Sequence, residues 1–154
     1  MAYRLTRAGR FDKLLLSLNE DRVDPLEKNP DDGNTALHTV IQYPWVPFGR
    51  TWGMRHRAFK ELLAKVKRNC SPQNDCQETP LHIAIRGSHT KEAIMLIEAG
   101  ADLSLRDNLE RTPLDLAKEL AQDDVVAAIQ EALEDDAGGE HHEVSRIAKQ
   151  KKSL

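Results

Sequence analysis

The sequence predicts an all-α solenoid in which short helix-turn-helix units stack side by side. Residues 79–84 read TPLHIA and residues 112–117 read TPLDLA, 33 positions apart (112 − 79). Aromatic residues make up only 5% of the chain and charged residues 31%, a balance that favours helices over sheets. Apolar residues recur at helical spacing in segments too short to be stable alone in water. Such helices must bury their apolar faces against neighbours of the same kind.

The first unit, residues 1–29, is predicted to be an N-terminal capping repeat. Two short helical stretches lie on either side of Gly9 in LTRAGRFDKLLLSL, and VDPLEKNPDDG follows as a link. A terminal repeat has a neighbour on one side only, so its other side is expected to be polar and to face water.

The second unit, residues 30–73, carries an insertion of 11 residues. Its TALH stretch begins at Thr35, in the frame of the TPLH stretch at Thr79, but the two threonines are 44 residues apart, which is 33 plus 11. The stretch YPWVPFGRTWGMR, residues 43–55, is predicted to be a loop between the two helices of this unit and contains both tryptophans. This loop either binds a partner or folds back over its own helices.

The third unit, residues 74–106, contains the most complete motif. Thr79 is expected to cap a helix through its hydroxyl, and Pro80 suits the first helical position. Gly87 is expected to end that helix in a left-handed turn. A second helix follows, and a hairpin-like link leads to the next unit.

The fourth unit, residues 107–133, is predicted to be the C-terminal capping repeat. Asp115 stands where the earlier units have histidine, and the second helix is more acidic on its outside. Both changes suit a terminal unit whose far side meets water. Residues 134–154 are expected to form a mobile charged tail.

Together these features resemble the ankyrin repeat family, whose signature is a 33-residue period with a Thr-Pro-Leu-His-x-Ala pattern. The resemblance covers roughly residues 30 to 133, with supporting stretches GNTALH, TPLHIA, EAGADLSLRD and TPLDLA. It implies hairpin-like loops between the helix pairs and a concave face that binds another protein. It also implies that His38 and His82 are buried and hydrogen-bond neighbouring turns. Gln77 and Glu110 replace the glycine at Gly33, which leaves the tightness of their turns open.

Partner contacts are expected at two hairpin tips, on an inner helix and in the loop. The mixture of charges suggests a polar partner with specific charge pairs. The candidate contact residues are Asn74, Asp75, Gln77 and Glu78 at one tip; Arg106, Asp107, Leu109 and Arg111 at the next; Arg86 and His89 on the helix and its turn; and Trp45, Phe48 and Trp52 in the loop.

No catalytic residue, cofactor or metal site is predicted. The chain has no GxxxxGK or dinucleotide-type glycine motif. Cys70, Cys76, His82 and His89 are spaced C-x5-C-x5-H-x6-H, whereas the cysteines of zinc sites are usually two to four residues apart. The histidine at position 82 already belongs to the repeat motif.

Charge and hydropathy narrow the classes of partner. The formal net charge of −3 argues against a general binder of nucleic acid or membrane surfaces. No apolar run suits a signal peptide or approaches the roughly 18 residues of a membrane span, and no small-molecule substrate is expected. Two cysteines fit a reducing compartment. A cytoplasmic location is expected, with the nucleus or a host cell's cytoplasm as alternatives.

Two functions remain open. The first is a stand-alone adaptor or inhibitor that recruits or blocks a partner protein, such as a host-directed effector or an inhibitor resembling those of NF-κB transcription factors. The second is a structural subunit of a larger complex that uses loop 43–55 as an obligate interface. An enzyme is not expected, because no nucleophile, base and stabilising group converge in the motifs.

Overall fold

The computed structural model describes residues 1–43, 51–66 and 69–137. These residues form eight helices and no β-strand, which confirms the all-α prediction. The helices are α1 (Ala2–Arg7), α2 (Phe11–Asn19), α3 (Ala36–Gln42), α4 (Thr51–Val66), α5 (Pro80–Arg86), α6 (Thr90–Glu98), α7 (Pro113–Glu119) and α8 (Asp123–Ala137).

The helices stack in two rows. Each odd-numbered helix packs against the even-numbered helix that follows it, so the chain forms four helix pairs. Helices α1, α3, α5 and α7 contact one another in series and form the inner row, and the other four form the outer row. This arrangement confirms the predicted solenoid of stacked helix pairs. None of the described helices combines the length and apolar composition needed to cross a membrane.

One continuous core runs between the two rows. Each large aliphatic side chain that it buries contributes about 1.5–3 kcal/mol, and neighbouring repeats supply the surfaces that bury it. The largest fully buried side chains are Phe11, Leu14 and Leu18 of α2; Leu37 and Ile41 of α3; Phe59 and Leu62 of α4; Leu81 and Ile85 of α5; Leu96 of α6; Leu116 of α7; and Ile129 of α8.

Two predicted boundaries were wrong. Helix α4 begins at Thr51, so residues 51–55 of the predicted loop are helical. Helix α4 has 16 residues whereas α6 has 9, so part of the insertion lengthens a helix instead of a loop. Helix α8 continues to Ala137, four residues into the predicted tail. Residues 44–50 and 138–154 lie outside the described part of the chain, so the rest of the loop and tail predictions remain expectations.

The left-handed residue between paired helices is not the predicted one. Gly87 has a φ of −83°, and Ser88 has a φ of +55°. Gly9 and Ala121 are the left-handed residues of the first and fourth pairs, with φ of +65° and +51°. Gly87 lies close to another side chain: a Cβ there would lie 2.6 Å from the Cδ2 of His89. A side chain at position 87 would therefore require the ring of His89 to move.

Candidate functional site

Three tight turns form the tips that connect successive repeats. Residues Gly33, Gln77 and Glu110 occupy the same place in each tip, and all three have left-handed backbones, with φ of +68°, +57° and +60°. In the second tip the Gln77 amide donates to the Asn74 carbonyl at 2.9 Å, and in the third the Glu110 amide donates to the Asp107 carbonyl at 3.0 Å. The turns stay tight without glycine, at a backbone cost of about 1 kcal/mol each.

The tips also hydrogen-bond to one another. The Asp75 amide donates to the Asp32 carbonyl and the Asn108 amide to the Cys76 carbonyl, each at 3.2 Å. Consecutive tips are therefore fixed in register along one edge of the stack. Side chains on the tips consequently occupy a surface with little freedom to rearrange.

Three predicted contact residues are buried and instead support the tips. Asn74, Glu78 and Asp107 have less than a tenth of their surface exposed. The side-chain oxygen Oδ1 of Asn74 accepts from the backbone amides of Cys76 and Glu78, at 3.0 and 2.9 Å. These side chains expose little surface, and whether they contact a partner stays a prediction.

Asp107 holds the third tip in shape. Its carboxylate accepts from the amides of Leu109 and Arg111, at 2.9 and 3.0 Å. The Arg111 guanidinium also pairs with this carboxylate at 2.8 Å. Burial acts to raise the pKa of Asp107, but the bonds from Arg111 and Leu109 outweigh it, and the pKa lies below its usual value.

Four predicted contact side chains are exposed on the tips. They are Asp75, Gln77, Arg106 and Leu109, and we call them the tip ridge. Leu109 is 63% exposed although it is a large apolar residue. The Arg106 guanidinium donates to the Glu110 carbonyl at 2.6 Å, so it is oriented but stays in solvent.

The other predicted contact residues are partly engaged within the chain. Arg86 pairs with the carboxylate of Glu78. Arg111 pairs with Glu119 at 3.0 Å in addition to its bond with Asp107. His89 is half-buried at the start of α6. Burial, and secondarily the charge of Arg55, lowers the pKa of His89.

The aromatic residues predicted to bind a partner are not placed by the structure. Trp45 and Phe48 lie outside the described residues, and Trp52 lies in the first turn of α4 with its side chain outside them. Whether these three side chains contact a partner remains an expectation.

The repeat histidines connect neighbouring repeats, as the sequence predicted. Nδ1 of His38 accepts from the Thr35 amide at 3.1 Å, and its Nε2 donates to the Glu78 carbonyl of the next repeat at 3.1 Å. His82 is bonded in the same way to Thr79 and to the Arg111 carbonyl. Burial lowers the pKa of His38 to about 4, so its ring is neutral at pH 7. In the fourth repeat Asp115 accepts from Thr112 at 3.0 Å and is exposed.

The sequence did not reveal a buried ion pair between repeats. The Arg55 guanidinium lies 2.5 Å from the Glu92 carboxylate, and their side chains are 8% and 11% exposed. The backbones of α4 and α6 approach less closely than those of other successive outer helices, and this pair spans the gap. The sequence did contain one indication that Glu92 is buried. The residue 33 places later, at the same position of the next repeat, is Val125, which lies in the core.

Within the described segments, no three His, Cys, Asp or Glu side chains are grouped so as to hold a metal ion. Cys70 is buried, with its Sγ 3.9 Å from the Ala99 carbonyl, whereas Cys76 is exposed on a tip. His82 is occupied by the hydrogen bonds that join repeats.

Comparisons with known proteins agree with this architecture. A family model described as ankyrin repeats (many copies) matches residues 62–117. Over 122 residues the chain is 30% identical to NF-kappa-B inhibitor alpha of Sus scrofa, covering 71% of this chain and 36% of the relative. The Homo sapiens protein of that name is 29% identical, covering 71% and 35%. The chain thus spans about a third of the length of these relatives.

A shorter match involves a different kind of protein. Over 62 residues the chain is 37% identical to oxysterol-binding protein-related protein 1 of Homo sapiens, covering 38% of this chain and 6% of that protein. The region matched by the family model includes both TPL motifs, at Thr79 and Thr112. The stacked helix pairs, the histidine bonds between repeats and the family match establish that the chain belongs to the ankyrin repeat family.

Proposed function

We propose that this chain is a non-enzymatic binding module that recruits or blocks another protein through its tip ridge. The observation that carries the proposal is Leu109, which stands 63% exposed at the apex of a tip whose backbone is fixed from below by Asp107. A rigid apolar anchor surrounded by polar groups is a typical feature of protein interfaces. Little conformational entropy is lost when such a surface binds.

Charge at the tip ridge adds specificity. Asp75 and Arg106 lie exposed on neighbouring tips and offer opposite charges to a partner. Arg111 has a different role, because its bonds to Asp107 and Glu119 stabilise the tip itself. We therefore assign partner contact to Arg106 and a supporting role to Arg111.

The first candidate partner is a transcription factor of the NF-κB class. Support comes from the similarity to proteins named NF-kappa-B inhibitor alpha, at 30% identity over 71% of this chain. An inhibitor of this kind would work by occupying its partner's surface. The free thiols of Cys70 and Cys76 suit a reducing compartment, and we propose the cytoplasm as the place of binding.

The test compares two exposed leucines in a binding assay with purified NF-κB protein. The double variant Arg106→Gln/Leu109→Ser removes the anchor and the charge of the tip ridge. The control, Leu16→Ser, removes a leucine that is 61% exposed on the outer helix α2. We expect affinity to fall roughly tenfold or more in the double variant and to stay unchanged in the control.

Equal binding by the double variant and the wild type would refute the tip-ridge assignment. If NF-κB binds neither the wild type nor the double variant, the partner is wrong, and capture from cell extract with the same three proteins tests the surface alone. A protein captured by the wild type and the control, and lost from the double variant, would then be the partner to identify.

A further inference from the structure

A pocket of about 400 Å³ lies at the N-terminal end of the inner row, between α1 and the first tip. Tyr3, Ala8 and Pro30 supply apolar surface to its walls, and the rest of the lining is polar: Arg4, Arg7, Asn29 and Asp31. The two arginines are three residues apart on α1, which places them on the same face of the helix. The pocket therefore combines an apolar wall with two adjacent arginines and one aspartate.

The positive charges of this pocket are largely uncommitted. Within the described residues, Arg4 forms no ion pair and no side-chain hydrogen bond. Arg7 has one weak partner, Asp31, at 3.9 Å, and both side chains are mostly exposed. An exposed pair of this kind contributes about 0–1 kcal/mol, so a ligand can replace Asp31 at little cost.

The third repeat has an arginine at the matching place, and that arginine is neutralised. Arg86 ends α5 two residues before the left-handed Ser88, as Arg7 ends α1 two residues before the left-handed Gly9. The guanidinium of Arg86 is bonded to the buried carboxylate of Glu78 in its own repeat. The guanidinium of Arg7, in contrast, lies 3.9 Å from the carboxylate of Asp31, which is mostly exposed, and both residues line the pocket.

We propose that this pocket binds an anionic side chain, a carboxylate or a phosphoryl group, on an extended segment of the partner protein. Two guanidinium groups provide forked donors that match the oxygens of either anion. The apolar wall accommodates the carbon stem of the same side chain. The inference rests on the proposed binding function, and it adds a second contact at the opposite end of the stack from Leu109.

The test is an NMR titration of the full chain with three probes. They are a 12-residue peptide with a central glutamate between leucines, the same peptide with phosphoserine in place of the glutamate, and inorganic phosphate. We expect shifts in the amides of residues 3–8 and 29–31, and none in those of residues 108–111. The two peptides distinguish the source of the anion, and phosphate alone measures how much the peptide backbone adds.

Variants assign the binding to the arginines. Arg4→Gln/Arg7→Gln is expected to weaken peptide binding roughly tenfold or more, because charge-assisted bonds are lost. Arg10→Gln, which removes an exposed arginine outside the pocket lining, serves as the matched control and is expected to change affinity less than twofold. Asp31→Asn is expected to strengthen binding, because it removes the carboxylate that competes for Arg7.

If the double variant is unstable, its loss of binding is ambiguous. The Asp31→Asn variant still tests the proposal, because a folding defect would not produce the expected gain in affinity. No saturable binding by any probe, unchanged affinity in the double variant, or weaker binding by Asp31→Asn would each overturn the proposal. The titration uses peptides and phosphate instead of the partner protein. A negative titration therefore does not contradict the tip-ridge proposal, and a negative tip-ridge assay does not contradict the pocket proposal.

Discussion

Breaking the buried ion pair between Arg55 and Glu92 is expected to destabilise the whole stack. Their side chains are 8% and 11% exposed, so both charges are withdrawn from water. Arg55 also donates to the carbonyls of Ile41 and Tyr43, at 3.5 and 3.4 Å, near the C-terminal end of α3. Removing one partner from such a pair leaves an uncompensated buried charge and costs about 3–5 kcal/mol. Domains of this size are stable by about 5–15 kcal/mol in total.

A double-mutant cycle separates the ion pair from the packing of its side chains. The variants are Glu92→Leu, Arg55→Met and the double substitution, each measured by urea denaturation. We expect each single variant to lose about 3–5 kcal/mol. The double variant should lose less than the sum of the two, because no buried charge is left without a partner.

The control for this experiment is an exposed ion pair. Lys65 pairs with Asp21, whose side chain is mostly solvent-exposed, so Asp21→Asn should cost less than about 1 kcal/mol. If Glu92→Leu costs no more than Asp21→Asn, the charges of the pair are not effectively desolvated. Additive losses in the double variant would likewise refute the reasoning, since they would mean that Arg55 and Glu92 act independently.

Three further predictions concern the turns, the histidines and the thiols. Gln77→Gly and Glu110→Gly relieve left-handed backbones, and urea denaturation should show a gain of about 0.5–1 kcal/mol each. The pKa of His38 is lowered from 6.5 to about 4, so the unfolded chain binds more protons between these values. The free energy of unfolding should therefore fall by up to about 3 kcal/mol as pH drops from 6.5 to 4. A pH dependence in His38→Gln equal to that of the wild type would contradict this assignment. Cys76 is exposed while burial raises the pKa of Cys70, so a thiol reagent should modify one cysteine in the folded chain and both in urea.

The repeating parts of the fold could be predicted because the same motif occurs in several units of the sequence. Thr79, His82 and the residues around them recur in frame at Thr35 and His38, so their capping and bridging roles followed from the motif. The helix pairs followed from apolar spacing for the same reason. In these places local preference and tertiary packing agree.

Other features depended on three-dimensional neighbours that the sequence does not identify. The motif could not tell that Asp107 turns inward to fix a tip, since an aspartate in a turn is usually exposed. Nor could it tell that Ser88 and not Gly87 takes the left-handed conformation. The close approach of the His89 ring to Gly87 is a contact between side chain and backbone that spacing does not encode.

The candidate site was predicted only in outline. The tips were expected to carry the contacts, and Leu109 and Arg106 are exposed there. The pocket beside Arg4 and Arg7 was not anticipated, because its walls come from a helix and a tip that are more than 20 residues apart in the chain. Only the packing of α1 against the tip brings them together.

Asp115 has a consequence for how the array can be enlarged. Its carboxylate caps α7 as the histidines cap earlier helices, but it carries no proton with which to reach a following carbonyl. A fifth unit grafted after α8 would lack the hydrogen bond that joins the second and third units to the units that follow them, from a histidine Nε2 to a backbone carbonyl. Converting Asp115 to histidine beforehand would restore that donor, so lengthening the array by design requires this substitution as its opening step.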